Sequence, residues 1–336
     1  MVQDADGNLY GTTTGGGGED GTVFKVDKTG HESTLFSFHN VDGGFPTSGL
    51  LLDAAGNLYG TALGGLGAGV LFRVDKNGNE EVLHAFEGGA ESDAAVPSGG
   101  VIREAAGNFY GVTLFGHLGF GAVYQIDATG TLTVLHDFDG KSDGARPQGT
   151  LVQDADGNFY GVAVEGGKRN KGTVFKLASN GNFTVLHTFT GGKDGSGPQG
   201  TLLMDNAGNL YGSAIKGGDS GNGTVFEITK SGKFKRLYSF TGGTDGNSPN
   251  GGLVQDPDGN IYGTTQLGPR KLFLGTVFKL SPSHTLTVLH TFKGLEDGAV
   301  PLAGLIRDSA GNLYGTTVKN FLIQRVQGGS VFKITP

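Results

Sequence analysis

The chain has 336 residues and a formal net charge of −7, and 65 of its residues are glycine. Glycine at this level without a three-residue period excludes collagen, and the 22 phenylalanines and 9 tyrosines exclude a disordered glycine-rich linker. Lysine and arginine are scattered, which argues against a nucleic-acid partner, and no apolar run reaches the roughly 20 residues that membrane insertion requires. Cysteine is absent, so disulfides and thiolate metal sites are excluded.

One sequence unit recurs along the whole chain. Its marker is Gly-Asn-[Leu/Phe/Ile]-Tyr-Gly, and the marker tyrosines, separated by 49 to 52 residues, are Tyr10, Tyr59, Tyr110, Tyr160, Tyr211, Tyr262 and Tyr314. Each unit contains four short runs rich in β-branched and aromatic residues, which predict strands. In the fourth copy these strands are predicted at 149–152, 159–161, 173–177 and 183–189. Asn-Gly or Asp-Gly turns and a glycine-rich loop separate them, as antiparallel hairpins require.

Four antiparallel strands in about 50 residues form one blade of a β-propeller. Consecutive apolar residues in the first strand, such as Leu151 and Val152, are typical of an inner strand that is covered on both faces. The sequence therefore predicts an all-β fold, a seven-bladed β-propeller of four-stranded antiparallel blades in a single domain over 1–336. The predicted blades are approximately 1–46, 47–97, 98–147, 148–198, 199–249, 250–301 and 302–336.

The seventh unit ends after its third strand, at 330–334, so the last blade is predicted to lack its outer strand. Met1 directly precedes the inner strand of the first unit, so the start of the chain supplies no replacement. An unpaired strand edge is a pairing site for another strand. A shortened chain is the favoured explanation, and an edge-to-edge contact with a partner through the last strand is the alternative.

Three motifs of the unit are Gly-Asn-Leu-Tyr-Gly-Thr-Thr, Gly-Thr-Val-Phe-Lys and Leu-His-x-Phe-x-Gly-x-x-Asp-Gly-x-x-Pro. Together they resemble the GloVer tandem repeat of bacterial surface proteins, over essentially the whole chain. More loosely, Pro-x-Gly-Leu-x-x-Asp-x-x-Gly-Asn-Leu-Tyr is similar to the blades of NHL-type propellers. The first resemblance implies an exported protein, extracellular or on a bacterial surface, and transfers no catalytic residue. The second implies mostly binding, with a few lyases or hydrolases among related propellers.

Two sets of aspartates recur with the unit, in Asp-x-x-Gly-Asn turns such as the one at Asp154 and in Asp-Gly-x-x-Pro connections such as the one at Asp143. Side chains of this type stabilise turns, which is the role we expect for both sets. A structural calcium ion at the first set is the alternative, but the bidentate glutamate of a calcium loop is missing. A metal or polyol site at the second set is the other alternative. We therefore expect no cofactor and no metal. The fourth-strand histidines share their register with Phe36 and Tyr238, which favours an aromatic packing role.

The loops between the second and third strands depart most from the repeat, and several carry aromatic residues beside cations. Because a scaffold does not need such departures, they predict a ligand-binding surface. The candidates are Phe115 and His117 in unit three, Lys168 and Arg169 in unit four, Arg270 and Phe273 in unit six, and Phe321 and Arg325 in unit seven. After the proline of each connection, Gln148, Gln199 and Asn250 predict a polar ring at the channel mouth that suits a carbohydrate or ordered water.

These loops and the connections between blades are expected on one face, around the central channel. The favoured function is an exported recognition propeller that binds a carbohydrate or a protein partner there. A lyase or hydrolase is the first alternative, with His117 as acid/base and either Glu165 or an Asp-Gly-x-x-Pro aspartate as its partner or as a metal ligand. A structural or adhesion module is the second. An enzyme requires clustered titratable groups, a binder requires an asymmetric aromatic surface, and an adhesion module requires neither.

Overall fold

The computed structural model describes residues 1–16, 20–39, 42–65, 67–88, 94–269, 274–294, 297–318 and 329–336. In these ranges the regular structure consists of β-strands, which form seven antiparallel sheets. None of the described residues belongs to a helix long and apolar enough to cross a membrane. The seven sheets and the three-stranded last blade confirm the predicted all-β propeller.

The strands of each blade follow the chain from the innermost to the outermost position. Blades 1 and 2 contain β1 (Val2–Gln3), β2 (Leu9–Thr13), β3 (Thr22–Val26), β4 (Glu32–Ser37), β5 (Leu51–Leu52), β6 (Leu58–Ala62), β7 (Val70–Val74) and β8 (Glu80–Ala85). Blade 3 contains β9 (Ala94–Pro97), β10 (Ile102–Arg103), β11 (Phe109–Gly116), β12 (Ala122–Ile126) and β13 (Leu132–Asp137). Both β9 and β10 pair with β11 there.

Blades 4 to 6 have longer inner strands. They contain β14 (Ala145–Gln153), β15 (Phe159–Glu165), β16 (Thr173–Leu177), β17 (Phe183–Thr188), β18 (Ser196–Met204), β19 (Leu210–Lys216), β20 (Thr224–Ile228), β21 (Phe234–Ser239), β22 (Asn247–Gln255), β23 (Ile261–Leu267), β24 (Thr276–Leu280) and β25 (Leu286–Thr291). Blade 7 contains β26 (Ile306–Arg307), β27 (Leu313–Thr317) and β28 (Ser330–Ile334).

The marker motif is explained by the turn between the first and second strands. In blade 4, Asp154 Oδ1 accepts the N–H of Asp156 at 3.0 Å and of Asn158 at 2.9 Å. Its Oδ2 accepts the Asn158 amide and the Tyr160 hydroxyl, both at 2.8 Å. The other blades repeat the tyrosine bond, with Glu104 as acceptor in blade 3. These carboxylates therefore hold the turn closed, as expected of Asx residues.

The hydrophobic core lies between neighbouring blades. A phenylalanine just after each fourth strand is exposed by at most 1%, and these residues are Phe38, Phe86, Phe138, Phe189, Phe240 and Phe292. Phe189 packs edge to face on Phe226 of the next blade, with ring centroids 5.3 Å apart. Its N–H donates to the Gly172 carbonyl of its own blade at 3.0 Å. The fourth strand therefore links its own sheet to the next one.

Candidate functional site

The two ends of the propeller are built from different loops. At one end, Ser179 donates its N–H to the Asn158 side chain at 3.2 Å, so the turns after the first and third strands of a blade meet there. At the other end, the residue before each connecting proline donates its N–H to the loop between the second and third strands of the preceding blade. In blades 3 and 4 this bond joins Arg146 to the Phe120 carbonyl at 2.7 Å. We call this second end the loop face.

The residue before each connecting proline has a left-handed backbone. The six residues and their φ angles are Phe45 at 52°, Val96 at 60°, Arg146 at 53°, Gly197 at 63°, Ser248 at 55° and Val300 at 57°. A residue before proline ordinarily adopts an extended conformation, and bulky side chains avoid positive φ. Strain of this kind persists only where surrounding contacts impose it. The repeated N–H bond to the neighbouring loop is one such contact.

The proline itself provides the second contact. In blade 4 the ring of Pro147 lies so close to Gly121 that a Cβ on this glycine would be 2.4 Å from the proline Cδ. Pro46, Pro97, Pro198, Pro249 and Pro301 lie against equivalent glycines. The backbone is thus held by the proline and the glycine, and the side chain before the proline is left free to differ between blades. Two of these side chains, Phe45 and Arg146, are exposed on the loop face.

Glycines bring the channel-mouth amides together. A Cβ on Gly149 would lie 2.6 Å from the backbone of Gly200, and a Cβ on Gly200 would lie 2.4 Å from the Gly251 carbonyl oxygen. The inner strands of blades 4, 5 and 6 therefore touch backbone to backbone at this level. Each glycine directly follows one of the predicted amides, Gln148, Gln199 and Asn250. All three are partly exposed, and they lie on neighbouring inner strands, β14, β18 and β22.

The β11–β12 hairpin of blade 3 carries an exposed apolar cluster. The exposed fractions are 44% for Phe115, 52% for Leu118 and 43% for Phe120. Its tip is closed by the Gly119 N–H, which donates to the Gly116 carbonyl at 2.9 Å. One part of the Phe120 ring lies against Gly140, where an added Cβ would come within 2.5 Å of it. We call Phe115, Leu118 and Phe120 the aromatic hairpin.

Exposed cations lie next to the aromatic hairpin, in blade 4. Arg146, whose N–H bonds to Phe120, forms an ion pair with Glu165 at 3.7 Å. The loop that follows Glu165 carries the exposed Lys168 and Arg169. The Asn170 side chain shapes this loop by accepting the Gly166 N–H at 2.7 Å. The loop face therefore has apolar and cationic groups in adjacent blades.

The sequence-based candidates are distributed unevenly over this surface. Phe115, His117, Lys168 and Arg169 are exposed in neighbouring blades, and Gln148, Gln199 and Asn250 are partly exposed on adjacent inner strands. His117 lies on the aromatic hairpin, and Glu165 pairs with Arg146. Over the described ranges, no hydrogen bond or ion pair links His117 to Glu165, and no group of three metal-ligating residues occurs. Arg270, Phe273, Phe321 and Arg325 lie outside the described residues.

The fourth-strand histidines have a second role besides packing. His136 Nε2 contacts Asp143 at 2.9 Å, and the pairs His187–Asp194 and His290–Asp297 are equivalent at 3.2 and 3.0 Å. Tyr238 replaces the histidine in blade 5 and donates to Asp245 at 3.1 Å. These aspartates, which belong to the Asp-Gly-x-x-Pro set, therefore bond to the outer strand of their own blade. The constant spacing of seven residues could have predicted the pairing.

The chain belongs to the Gloeobacter/Verrucomicrobia repeat family, whose pattern matches residues 1–163, 64–258 and 151–336. The matches overlap and span the chain, which confirms the resemblance seen in the repeat motifs. No curated protein matches the sequence.

Solved structures with the same fold include extracellular domains. The chain is similar to the extracellular domain of the putative hybrid two-component system BT4673 from B. thetaiotaomicron, with a TM-score of 0.63 and 15% identity. The match covers 98% of this chain and 37% of that one, so the chain spans little more than a third of its length. A second structure of a BT4673 extracellular domain gives a TM-score of 0.59 and 13% identity, and covers 94% of this chain and 36% of that one. A gluconolactonase, XC5397 from Xanthomonas campestris, matches with a TM-score of 0.49 and 15% identity, over 82% of this chain and 84% of that one.

Proposed function

We propose that this propeller is an exported recognition module that binds a carbohydrate on its loop face, over the aromatic hairpin of blade 3 and the cationic loop of blade 4. The distribution of exposed apolar side chains carries the proposal. Among the described residues, eight large apolar side chains are exposed, namely Phe45, Leu63, Val82, Phe115, Leu118, Phe120, Leu302 and Val318. Apart from Val82 on β8, they lie at the loop face, with Phe115 at the end of β11 and the others in loops or connections.

Exposed apolar groups gathered on one surface mark a binding site more often than scattered ones do. Two rings on one hairpin, Phe115 and Phe120, offer apolar faces against which the C–H groups of a sugar ring can stack. The amides of Gln148, Gln199 and Asn250 offer donors and acceptors for its hydroxyls. This combination of apolar surface and a few polar groups is typical of ligand sites.

The cations favour a carbohydrate that carries acidic groups. Lys168 and Arg169 are exposed, and the one carboxylate on the same strand and loop, Glu165, is already paired with Arg146. The net charge of the whole chain is −7, so a cationic sector is a local departure from the rest of the surface. Carboxylate or sulfate groups of a polysaccharide would find their counter-charges there.

An array of neutral and acidic polysaccharides tests the proposal. We expect the chain to bind an acidic polysaccharide, and we expect Phe115→Ser with Phe120→Ser to weaken binding at least tenfold, about 1.4 kcal/mol, because the apolar contact is lost. Binding should also weaken as salt is raised, because the cations are exposed. Isothermal titration with the selected polysaccharide measures both effects.

Val82→Ser is the matched control, because Val82 is an exposed apolar residue on β8, away from the loop face. It should leave affinity unchanged. Equal binding by the hairpin variant and by the control would place the ligand elsewhere. Absence of binding to every polysaccharide on the array would reject a carbohydrate ligand.

A further inference from the structure

A pocket of about 280 Å³ lies between blades 2 and 3, at the end of the propeller opposite the loop face. It is bounded by β8 of blade 2 and by the turn after β12 of blade 3, residues 127–130. His84 of β8 holds this turn in place, because its Nδ1 donates to the Gly130 carbonyl at 2.9 Å. The pocket also contains Val82, which among the described residues is the one exposed large apolar side chain away from the loop face.

One arginine of this pocket is stacked on aromatic rings. In blades 1, 4, 6 and 7 a lysine of the third strand lies over the marker tyrosine of its own blade, 5.5 to 5.8 Å from the ring centre. In blade 2 the cation over Tyr59 comes from the next blade. The guanidinium carbon of Arg103 lies 5.2 Å from the centre of the Tyr59 ring and 5.3 Å from that of Phe109. Stacking fixes the guanidinium plane and leaves the N–H groups at its edge accessible to a ligand.

The two arginines of the pocket have few partners within the described residues. Arg103 Nη1 donates to the Tyr59 hydroxyl at 3.4 Å and lies 3.7 Å from Asp53 Oδ2, which already accepts the Tyr59 hydroxyl. Arg73, opposite Tyr59 on β7, forms one ion pair with Glu81 at 2.8 Å. The exposed fractions of the Arg73 and Arg103 side chains are 39% and 37%. Because a guanidinium carries several donors in a planar fork, both can still bind a carboxylate.

A carboxylate of the protein lines the same pocket. Asp127 Oδ1 accepts the Thr129 N–H at 2.8 Å, the Thr129 hydroxyl at 2.6 Å and the Thr131 N–H at 3.0 Å, and thereby closes the turn after β12. Its Oδ2 accepts no hydrogen bond from the described residues. This oxygen can therefore accept a hydrogen bond from a cationic group of a ligand.

The charges around the pocket distinguish an anionic ligand from a zwitterionic one. Arg73 and Arg103 are balanced by Glu81 and Asp127, and Asp53 adds a further negative charge beside Arg103. A phosphate or another free anion would increase this negative excess, which is unfavourable. A zwitterion leaves the balance unchanged, and its two charges find opposite partners within one pocket.

The remaining wall and the volume restrict the ligand further. Val82 and Leu83 of β8 and Ile126 of β12 add apolar surface beside the charged groups. A volume of about 280 Å³ equals that of about nine water molecules. This space suits one amino acid with an apolar side chain and is too small for a folded segment or an oligosaccharide.

We propose that this pocket binds a free α-amino acid with an apolar side chain. The ligand carboxylate accepts hydrogen bonds from Arg103 and Arg73, and its ammonium group donates to Asp127 Oδ2. Its side chain packs on Val82. Hydrogen bonds in which both partners are charged are the stronger ones, so the two charged ends fix the orientation of the ligand.

Isothermal titration of the full chain with L-leucine and two analogues tests this proposal. Isocaproate lacks the ammonium group of leucine, and isoamylamine lacks its carboxylate. We expect saturable binding of L-leucine and at least tenfold weaker binding of each analogue, because each loses one of the two charge-assisted contacts. Inorganic phosphate should not compete with L-leucine.

Two substitutions remove the contacts with residues that other blades already carry. Arg103→Gln introduces the glutamine of blades 1, 4 and 6, and Asp127→Ser introduces the serine of blade 6, so both variants should fold. Arg103→Gln should lower the affinity for L-leucine at least tenfold. Asp127→Ser should weaken binding of L-leucine but not of isocaproate. Lys176→Gln is the matched control, because Lys176 has the register of Arg73 in blade 4, and it should leave the affinity unchanged.

Equal affinities of L-leucine and isocaproate would overturn the proposal, since the ammonium group would then have no partner. Competition by phosphate would overturn it as well, because the pocket would then be an anion site. Absence of saturable binding by any apolar amino acid would reject the pocket as a ligand site. None of these measurements involves the loop face, so the carbohydrate proposal can fail independently of this one.

Discussion

The junction between blades 4 and 5 and the junction between blades 7 and 1 are built from the same repeat but differ by one strand. In the first, β17 pairs with β16 and delivers Phe189 onto Phe226, so Val174 and Phe226 are fully buried. In the second, the described residues supply no such strand, and Val331 is partly exposed. One strand thus covers two sheets, its own and the next. Within the described residues, the junction between blades 7 and 1 therefore has one covering strand fewer than the other junctions.

Among these substitutions, Phe189→Ala should cause the largest loss of stability. The side chain is 0% exposed and contacts the next blade, so its removal leaves a cavity at a closed junction. We expect a loss of about 3–5 kcal/mol in the free energy of unfolding. Urea denaturation followed by fluorescence or circular dichroism measures it. A loss below about 1 kcal/mol would show that the closed junction does not depend on this ring.

Val174→Ala and Val331→Ala compare the same register in the two junctions. Val174 is fully buried and Val331 is not, so we expect losses of about 2 kcal/mol and under about 1 kcal/mol respectively. The same denaturation experiment provides both values. Equal losses would mean that Val331 is as well buried in solution as Val174.

Glu80→Leu should stabilise the junction between blades 1 and 2. Glu80 is the first residue of β8. At the corresponding position of blade 4, Phe183 stacks on His136 of blade 3, with their ring centroids 3.6 Å apart. Burial, with the nearby charges of Asp42 and Glu81, raises the pKa of Glu80 to about 7 from 4.5. The ionised form is therefore disfavoured in the folded state. The folded state loses stability for this reason as pH rises from 4.5 towards 7.

We expect Glu80→Leu to add on the order of 1 kcal/mol above neutral pH and less at acidic pH. Thermal denaturation across the pH range measures the difference. Glu32→Leu is the matched control, because Glu32 has the same register but is exposed at the open junction. A stabilisation of the same size at both pH extremes would point to apolar packing rather than to the charge of Glu80.

His187→Tyr should give the smallest effect, visible only in the pH dependence. Burial lowers the pKa of His187, although the adjacent Asp194 acts in the opposite direction. The folded state thus favours the neutral imidazole. The contribution of the neutral His187 side chain to stability is complete above pH 6.5, the ordinary pKa of histidine. This contribution is lost as pH falls through the lower pKa of His187 in the folded state.

A tyrosine keeps a hydroxyl for Asp194, as Tyr238 does for Asp245, and does not ionise in this range. The variant should therefore lose less stability than the wild type between about pH 7 and pH 5. Denaturation midpoints at the two pH values provide the comparison, with His31→Gln, in an exposed turn, as the control. Identical pH dependence in wild type and variant would exclude His187 as the titrating group.

The strands and their order could be predicted because their determinants are local. The turn at Asp154 and the apolar run at Leu151 each specify structure within a few residues. The same signals recur in every unit, so each blade could be predicted in the same way. The three-stranded last blade followed from counting the same runs. The contact between the aromatic hairpin and the connection to the next blade followed from the order of strands in an antiparallel blade. Their use as a binding site remains a proposal.

Other features depend on contacts between blades and were not predicted. The left-handed backbone at Val96 contradicts the local preference of a residue before proline, and it is imposed by a bond to the neighbouring loop. The pairing of His187 with Asp194 was missed because each residue was interpreted within its own motif. A glycine is needed at position 200 because the backbone of Gly251 lies against it. The two residues are one whole repeat unit apart in the sequence.

The left-handed position before each proline separates what the repeat must keep from what it can change. The backbone there is fixed by a glycine, a proline and one main-chain hydrogen bond, none of which involves the side chain. The chain already carries phenylalanine, valine, arginine, glycine and serine at this place. Single substitutions at such positions can therefore alter the surface of the propeller without rebuilding its frame. In evolutionary terms, the repeat is a scaffold whose surface can diverge one residue at a time while its fold stays constant.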